Sequence, residues 1–169
     1  ARSVPQRIIA AGCVVWFYLG KLLWPHPLIF IYPRWEIEAG NLLWWLPVLS
    51  LALGFALLWK GRARGWVRAL LFALGCFVVA LVPVLGLADH YFLRYSFVGD
   101  HFQYLASMGP LALAGAGLSG MLRPRSAGRL SAWRRVGTAV CGALLLVLGS
   151  LSWRECRKYR DDETLWRTT

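Results

Sequence analysis

The sequence predicts an all-α fold: a polytopic transmembrane bundle of about five helices. Three observations carry that expectation. Apolar residues make up 58% of the chain, above the roughly half that a water-soluble domain uses. Five apolar stretches, near 8–24, 42–59, 69–87, 105–122 and 136–153, each approach the ~20 residues that cross a bilayer as helix. The basic residues gather in short runs between these stretches, as they do in loops beside an anionic leaflet.

The first stretch carries Lys21 near its far end, where a long side chain can reach the headgroups while its stem stays in apolar surroundings. It is the weakest of the five as a full crossing. The second is followed by Lys60, Arg62, Arg64 and Arg68. In the third, Pro83 is expected to kink the helix near its outer end, because proline removes a backbone donor and clashes with the preceding turn. The fourth places Ala112, Ala116 and Gly120 at four-residue intervals, with Gly109, Gly115, Gly117 and Ser119 beside them. Small residues let helix backbones approach in lipid, so this helix is expected in the middle of the bundle, with Pro110 in its first turn. The fifth ends at Trp153. Residues 1–153 therefore read as the membrane bundle and 154–169 as a tail.

Sidedness follows from charge. The runs after the second and fourth stretches, with Arg2 and Arg7, hold eleven of the 19 basic residues, and the positive-inside rule puts them in the cytoplasm. All eight acidic residues and all three histidines, His26, His90 and His101, fall on the other side. The tail's Arg154, Arg157, Lys158 and Arg160 run against this assignment. The chain is thus expected as a multi-pass inner-membrane protein, N-terminus cytoplasmic and tail extracytoplasmic. The sequence starts without Met and stops at what reads as the start of a helix, Asp161-Asp162-Glu163 followed by Leu165 and Trp166, so it reads as a piece of a longer protein.

Several functions are disfavoured by the same residues. The net charge of +11 is explained by loops rather than by nucleic acid. The spans hold almost no ionisable side chain, which counts against a transporter or channel. Cys13, Cys76 and Cys141 lie inside apolar stretches and only Cys156 outside one, so they read as free thiols rather than a disulfide framework. No zinc-ligand spacing occurs, and no metal site is expected. Gly117-Leu118-Ser119-Gly120 could suggest an intramembrane serine protease, but the nucleophile needs a His within reach. His101 is 18 helical residues away, some ~27 Å at 1.5 Å per residue.

One outer segment is distinctive: Arg94-Tyr95-Ser96-Phe97-Val98-Gly99-Asp100-His101-Phe102-Gln103-Tyr104-Leu105-Ala106-Ser107. With Tyr32-Pro33-Arg34-Trp35 before it and Tyr159-Arg160-Asp161-Asp162-Glu163-Thr164-Leu165-Trp166 after it, it resembles bacterial membrane proteins with C-terminal tetratricopeptide repeats. These are similar to the transmembrane and TPR-containing O-mannosyltransferases, of the GT-C type. The resemblance covers most of the chain and implies the later membrane helices, just ahead of an extracytoplasmic repeat domain. It implies a parent that moves a sugar from a polyprenyl-phosphate donor to protein on the extracytoplasmic face, with a lipid-phosphate-linked sugar as donor and no other cofactor. The catalytic carboxylate of such enzymes sits in the first outer loop, upstream of this chain, so the fragment alone is expected to be inactive and its catalytic residues are unassigned. The alternative is a non-catalytic membrane anchor whose repeats recruit partners for envelope assembly. In either case the partners are the bilayer and a protein bound through the repeats, with no nucleic acid.

Within that frame Arg94 is a candidate clamp for the donor phosphate, since guanidinium binds phosphate bidentately and keeps its charge. Asp100 and His101, with Tyr104, are candidate supporting groups in the same loop. The plainer reading pairs Arg94 with Asp89 or Asp100 and ties the loop to the helix ends. Arg34 is a second candidate phosphate ligand, or an interfacial anchor among aromatic neighbours. Glu36 and Glu38 share a face only if their segment is extended; solvated loop acids are the simpler account of them.

Overall fold

The computed structural model describes residues 3–26, 32–33, 35–86, 96–122 and 130–157. The chain divides into two compact units, residues 1–111 and 112–169. Every regular element among the described residues is helical, as the apolar stretches require.

In the first unit α1 spans Val4–Leu23. Pro5 lies in its first turn, where a missing N–H is harmless, and the Ser3 N–H donates to Gln6 Oε1 at 3.0 Å, satisfying a donor the helix leaves open. Trp24 leaves the helix in extended backbone and Pro25 follows. A short 3₁₀ turn, Leu42–Trp45, opens where the Asn41 side chain accepts from the Leu43 N–H at 3.0 Å. It leads into α2, Leu46–Lys60. Past its end, Arg62 Nη1 donates to the Trp59 carbonyl at 2.9 Å, and the guanidinium lies 4.5 Å from the Trp59 ring centre. A cation there also meets the negative end of the helix dipole.

Helix α3 runs Gly65–Leu81 and passes into a 3₁₀ turn, Val82–Val84. Pro83 therefore ends the helix rather than kinking it, and Gly86 then turns the chain at a φ of 78°, a conformation that favours glycine. A further 3₁₀ turn, Asp100–Phe102, starts α4, Gln103–Leu122. This start is earlier than the apolar stretch suggested. Pro110 consequently sits inside α4 instead of in its first turn, where it removes the hydrogen bond to the Ala106 carbonyl. The close backbone approach also falls early: a Cβ on Gly109 would lie 2.9 Å from the Ala73 carbonyl oxygen.

The core of this unit surrounds α1. Ile9, Val14 and Tyr18 are fully buried with Phe77 and Leu81 of α3 and Val98 of the segment entering α4. By contrast Leu49, Leu53 and Leu57 of α2 and Phe72 and Val79 of α3 are exposed, a surface that lipid can cover and water would disfavour.

The second unit holds the rest of α4 and α5, Leu130–Cys156. At Gly115, Gly117 and Gly120 an added Cβ would meet no described atom within 4 Å, so the expected central packing of this stripe is not seen among the described residues. Ser119 Oγ donates to the Ala116 carbonyl one turn back at 3.1 Å. Exposed Leu144, Leu145 and Leu146 line α5.

Candidate functional site

Among the described residues, four helical segments are long and apolar enough to cross a membrane: Val4–Leu23, Leu42–Lys60, Gly65–Val84 and Arg135–Arg154. Among the described residues, Asp100 joins a polar and aromatic cluster in the first unit. There α1 ends, and α2 and α4 begin.

Tyr18 organises this end. Its side chain is fully buried, and its hydroxyl donates to the Gly99 carbonyl at 3.0 Å while accepting from the Gly99 N–H at 2.9 Å. Gln103, in the first turn of α4, donates through Nε2 to the Tyr18 carbonyl at 2.9 Å. Two residues before Val98, the Ser96 hydroxyl donates to the Val98 carbonyl at 2.8 Å. Buried backbone groups without a ladder partner are thereby satisfied by side chains, as interior polar groups must be.

The segment around Tyr32 joins the same site. The Tyr32 hydroxyl donates to Asp100 Oδ1 at 2.9 Å, a bond strengthened by the carboxylate charge. Phe17 meets the Tyr32 ring edge-on at 4.9 Å, and Trp35 stacks on Phe97 at 5.6 Å with planes 8° apart. The Lys21 ammonium lies 5.2 Å from the Tyr32 ring centre and 5.5 Å from that of Phe17, within cation–π range. Two motif segments separated by 68 residues thus form one aromatic and polar cluster.

Beyond Tyr32 the chain retraces α1. Tyr32 and Ile37 are buried, Trp35 and Ala39 half-buried, and Glu36 and Glu38 exposed. That alternation is the period-2 pattern of extended backbone, so Glu36 and Glu38 do share a face. Gln6 Nε2, near the start of α1, donates to the Ile37 carbonyl at 3.1 Å. The Trp45 indole N–H then donates to the Ala39 carbonyl at 3.2 Å.

Of the residues expected at the site, Asp100 is part of the cluster, partly buried and bonded to Tyr32. His101 is exposed beside Phe102, ring centres 4.0 Å apart. Tyr104 is 74% exposed on α4, and its carbonyl accepts from Ser107 Oγ at 2.9 Å. Arg34 and Arg94, with Asp89 and His90, lie outside the described residues. Tyr18, Gln103 and Phe17 do not stand out in the sequence as site residues, and Lys21 reads there only as an anchor. A tyrosine inside an apolar stretch is a usable signal, because its buried hydroxyl needs a partner.

A separate open groove of about 490 Å³ is lined by Trp16, Leu46, Pro47, Leu49, Ser50 and Leu53. None of the polar cluster lines it. Trp16 Nε1 donates there to the Pro47 carbonyl at 3.1 Å and to Ser50 Oγ at 3.0 Å.

Among the described residues the chain is all-helical, with segments long and apolar enough to cross a membrane and a cluster built from two distant motif segments. Comparison with family models, with curated proteins and with solved structures finds no match.

Proposed function

We propose that this chain is membrane machinery of a GT-C-like glycosyltransferase, moving a sugar from a polyprenyl-phosphate donor to protein on the extracytoplasmic face of the inner membrane. The carrying observation is the Tyr32–Asp100 hydrogen bond at 2.9 Å. It joins the two segments whose sequences resemble that class, so they act as parts of one site. Arg34 lies in sequence between Pro33 and Trp35, and Arg94 two residues ahead of buried Ser96. Both guanidiniums belong to the converging segments, and together they supply bidentate donors for a lipid phosphate. Asp100 and His101 orient hydroxyls of donor or acceptor, and Lys21 adds positive charge beside Tyr32. The basic loop between α2 and α3 then faces the cytoplasm, as the positive-inside rule requires, and the tail leads outward to repeats that bind the protein acceptor. The catalytic carboxylate comes from the parent's upstream part.

The test is transfer of labelled sugar from polyprenyl phosphate to protein by the full-length parent in proteoliposomes. The proposal expects transfer, reduced at least tenfold by the paired substitution Arg34→Ala and Arg94→Ala. A folded parent that releases no sugar from the donor supports the anchor reading instead.

A further inference from the structure

Helix α1 is apolar and long enough to cross the membrane, yet both of its ends are tied to segments of one membrane face. Near its C-terminal end, Tyr18 bonds Gly99 and Gln103, where α4 begins. In its middle, Gly12 packs so tightly on Val48 that a Cβ would come within 2.5 Å of it, and Trp16 bonds Pro47 and Ser50. Those residues are the first turn of α2. Near its N-terminal end, Gln6 bonds Ile37, five residues ahead of the 3₁₀ turn that enters α2. Since α2 and α3 are consecutive crossings joined by the short loop at 61–64, the starts of α2 and α4 lie on the same side of the bilayer.

Gly12 and Trp16 are one turn apart on α1, yet both meet residues 47–50. Had α1 run alongside α2, the contact would have moved a full turn along α2 as well. Both contacts fall at the start of α2, as a steep crossing would place them. The strap at 32–37 gives the same geometry independently. From Phe17 to Gln6 is about 16 Å along a helix, close to the most that the five-residue separation of Tyr32 and Ile37 can span, and the Phe17–Tyr32 and Gln6–Ile37 contacts set the two ends of the strap beside those two levels of α1. If α1 stood upright in the bilayer, the strap would carry non-helical backbone and the exposed carboxylates of Glu36 and Glu38 through roughly half the hydrocarbon. Lipid-exposed backbone of that kind does not occur in the hydrocarbon core, and ionised side chains are strongly disfavoured there.

We infer that α1 is an interfacial helix, lying along the membrane surface across the ends of α2, α3 and α4. Its occupant is the bilayer interface itself: Val4, Ile8, Leu23 and Trp24 are exposed apolar groups, while Arg7 and Lys21 are the charges that such helices place at headgroup depth. The strap keeps Glu36 and Glu38 in water. This placement moves the N-terminal end of the chain to the face that carries the 32–41 segment, in place of the cytoplasmic side that the charge count suggested. It also puts Lys21 and Tyr32 where a lipid headgroup would meet them. The inference rests on α2 and α3 being crossings and is independent of any sugar transfer.

The experiment labels single cysteines in the full-length protein, in intact and in permeabilised cells, after all of its native cysteines are replaced by alanine. The probes are Ser3→Cys at the start of α1, Gly40→Cys, where an added Cβ meets nothing, and Arg64→Cys between α2 and α3. An interfacial α1 gives Ser3→Cys and Gly40→Cys the same response to an impermeant maleimide, opposite to that of Arg64→Cys. If Ser3→Cys sides with Arg64→Cys against Gly40→Cys, α1 crosses the membrane and the inference is overturned. If Arg64→Cys sides with Gly40→Cys, the α2–α3 hairpin does not cross and the inference falls with it. Val4→Cys, 69% exposed, repeats the first probe where Ser3→Cys impairs folding.

Discussion

The Tyr18 hydroxyl satisfies both backbone groups of Gly99, donating to its carbonyl at 3.0 Å and accepting from its N–H at 2.9 Å. One side chain from α1 thereby fixes the strand-like approach to α4, although the two residues are 81 positions apart. Tyr18→Phe fills nearly the same volume but leaves two buried backbone groups unpaired, at ~1–3 kcal/mol each. A loss of about 2–6 kcal/mol is expected, read as a lowered unfolding midpoint in detergent or nanodiscs. Tyr104→Phe, on an exposed ring, should leave that midpoint unchanged.

Tyr32 and Asp100 should be energetically coupled. In a double-mutant cycle of Tyr32→Phe and Asp100→Ala, directly bonded side chains give an interaction of ~0.5–3 kcal/mol. Additive effects would show that the 2.9 Å contact contributes nothing and that the two motif segments fold independently.

Gly12 and Gly115 should respond in opposite directions to alanine. At Gly12 the new Cβ would stand 2.5 Å from Val48 Cγ2 and 3.0 Å from its backbone nitrogen, and such overpacking costs ~1–3 kcal/mol. At Gly115 it meets no described atom within 4 Å, and alanine gains up to ~1 kcal/mol of helix propensity. Thermal unfolding of the two variants checks the pair.

The helices were legible because length and apolarity suffice to specify them: 42–59 and 136–153 lie within helical segments, the first including its 3₁₀ entry. Their ends were less so. From sequence Pro83 predicts a kink, because a proline's neighbours do not reveal whether the chain resumes its helix. The apolar pattern starts α4 late because Gln103 and Tyr104 are polar-tipped, and polarity resembles a loop. At the site, Asp100 was visible as an acid in a distinctive segment, whereas Tyr32 looked like an interface anchor. Its partner was hidden because a contact across 68 residues leaves no local period. The strap was hidden for a related reason: Glu36 and Glu38 read as ordinary loop acids until Ile37 is seen bonded to Gln6.

The central claim is that the segments around Tyr32 and Asp100 form a lipid-phosphate site. It is tested most directly by measuring polyprenyl-phosphate binding and thermal stability together on the full-length parent, for wild type, Arg34→Ala, Arg94→Ala and Arg94→Lys. Saturable binding is expected in the wild type, weakened at least tenfold in either alanine variant and less in Arg94→Lys, which keeps the charge but loses the bidentate fork. Melting temperatures should stay within a few degrees of wild type. Unchanged binding with a lowered melting temperature in Arg94→Ala would contradict the claim and leave Arg94 as an ion-pair partner that ties the loop to the helix ends.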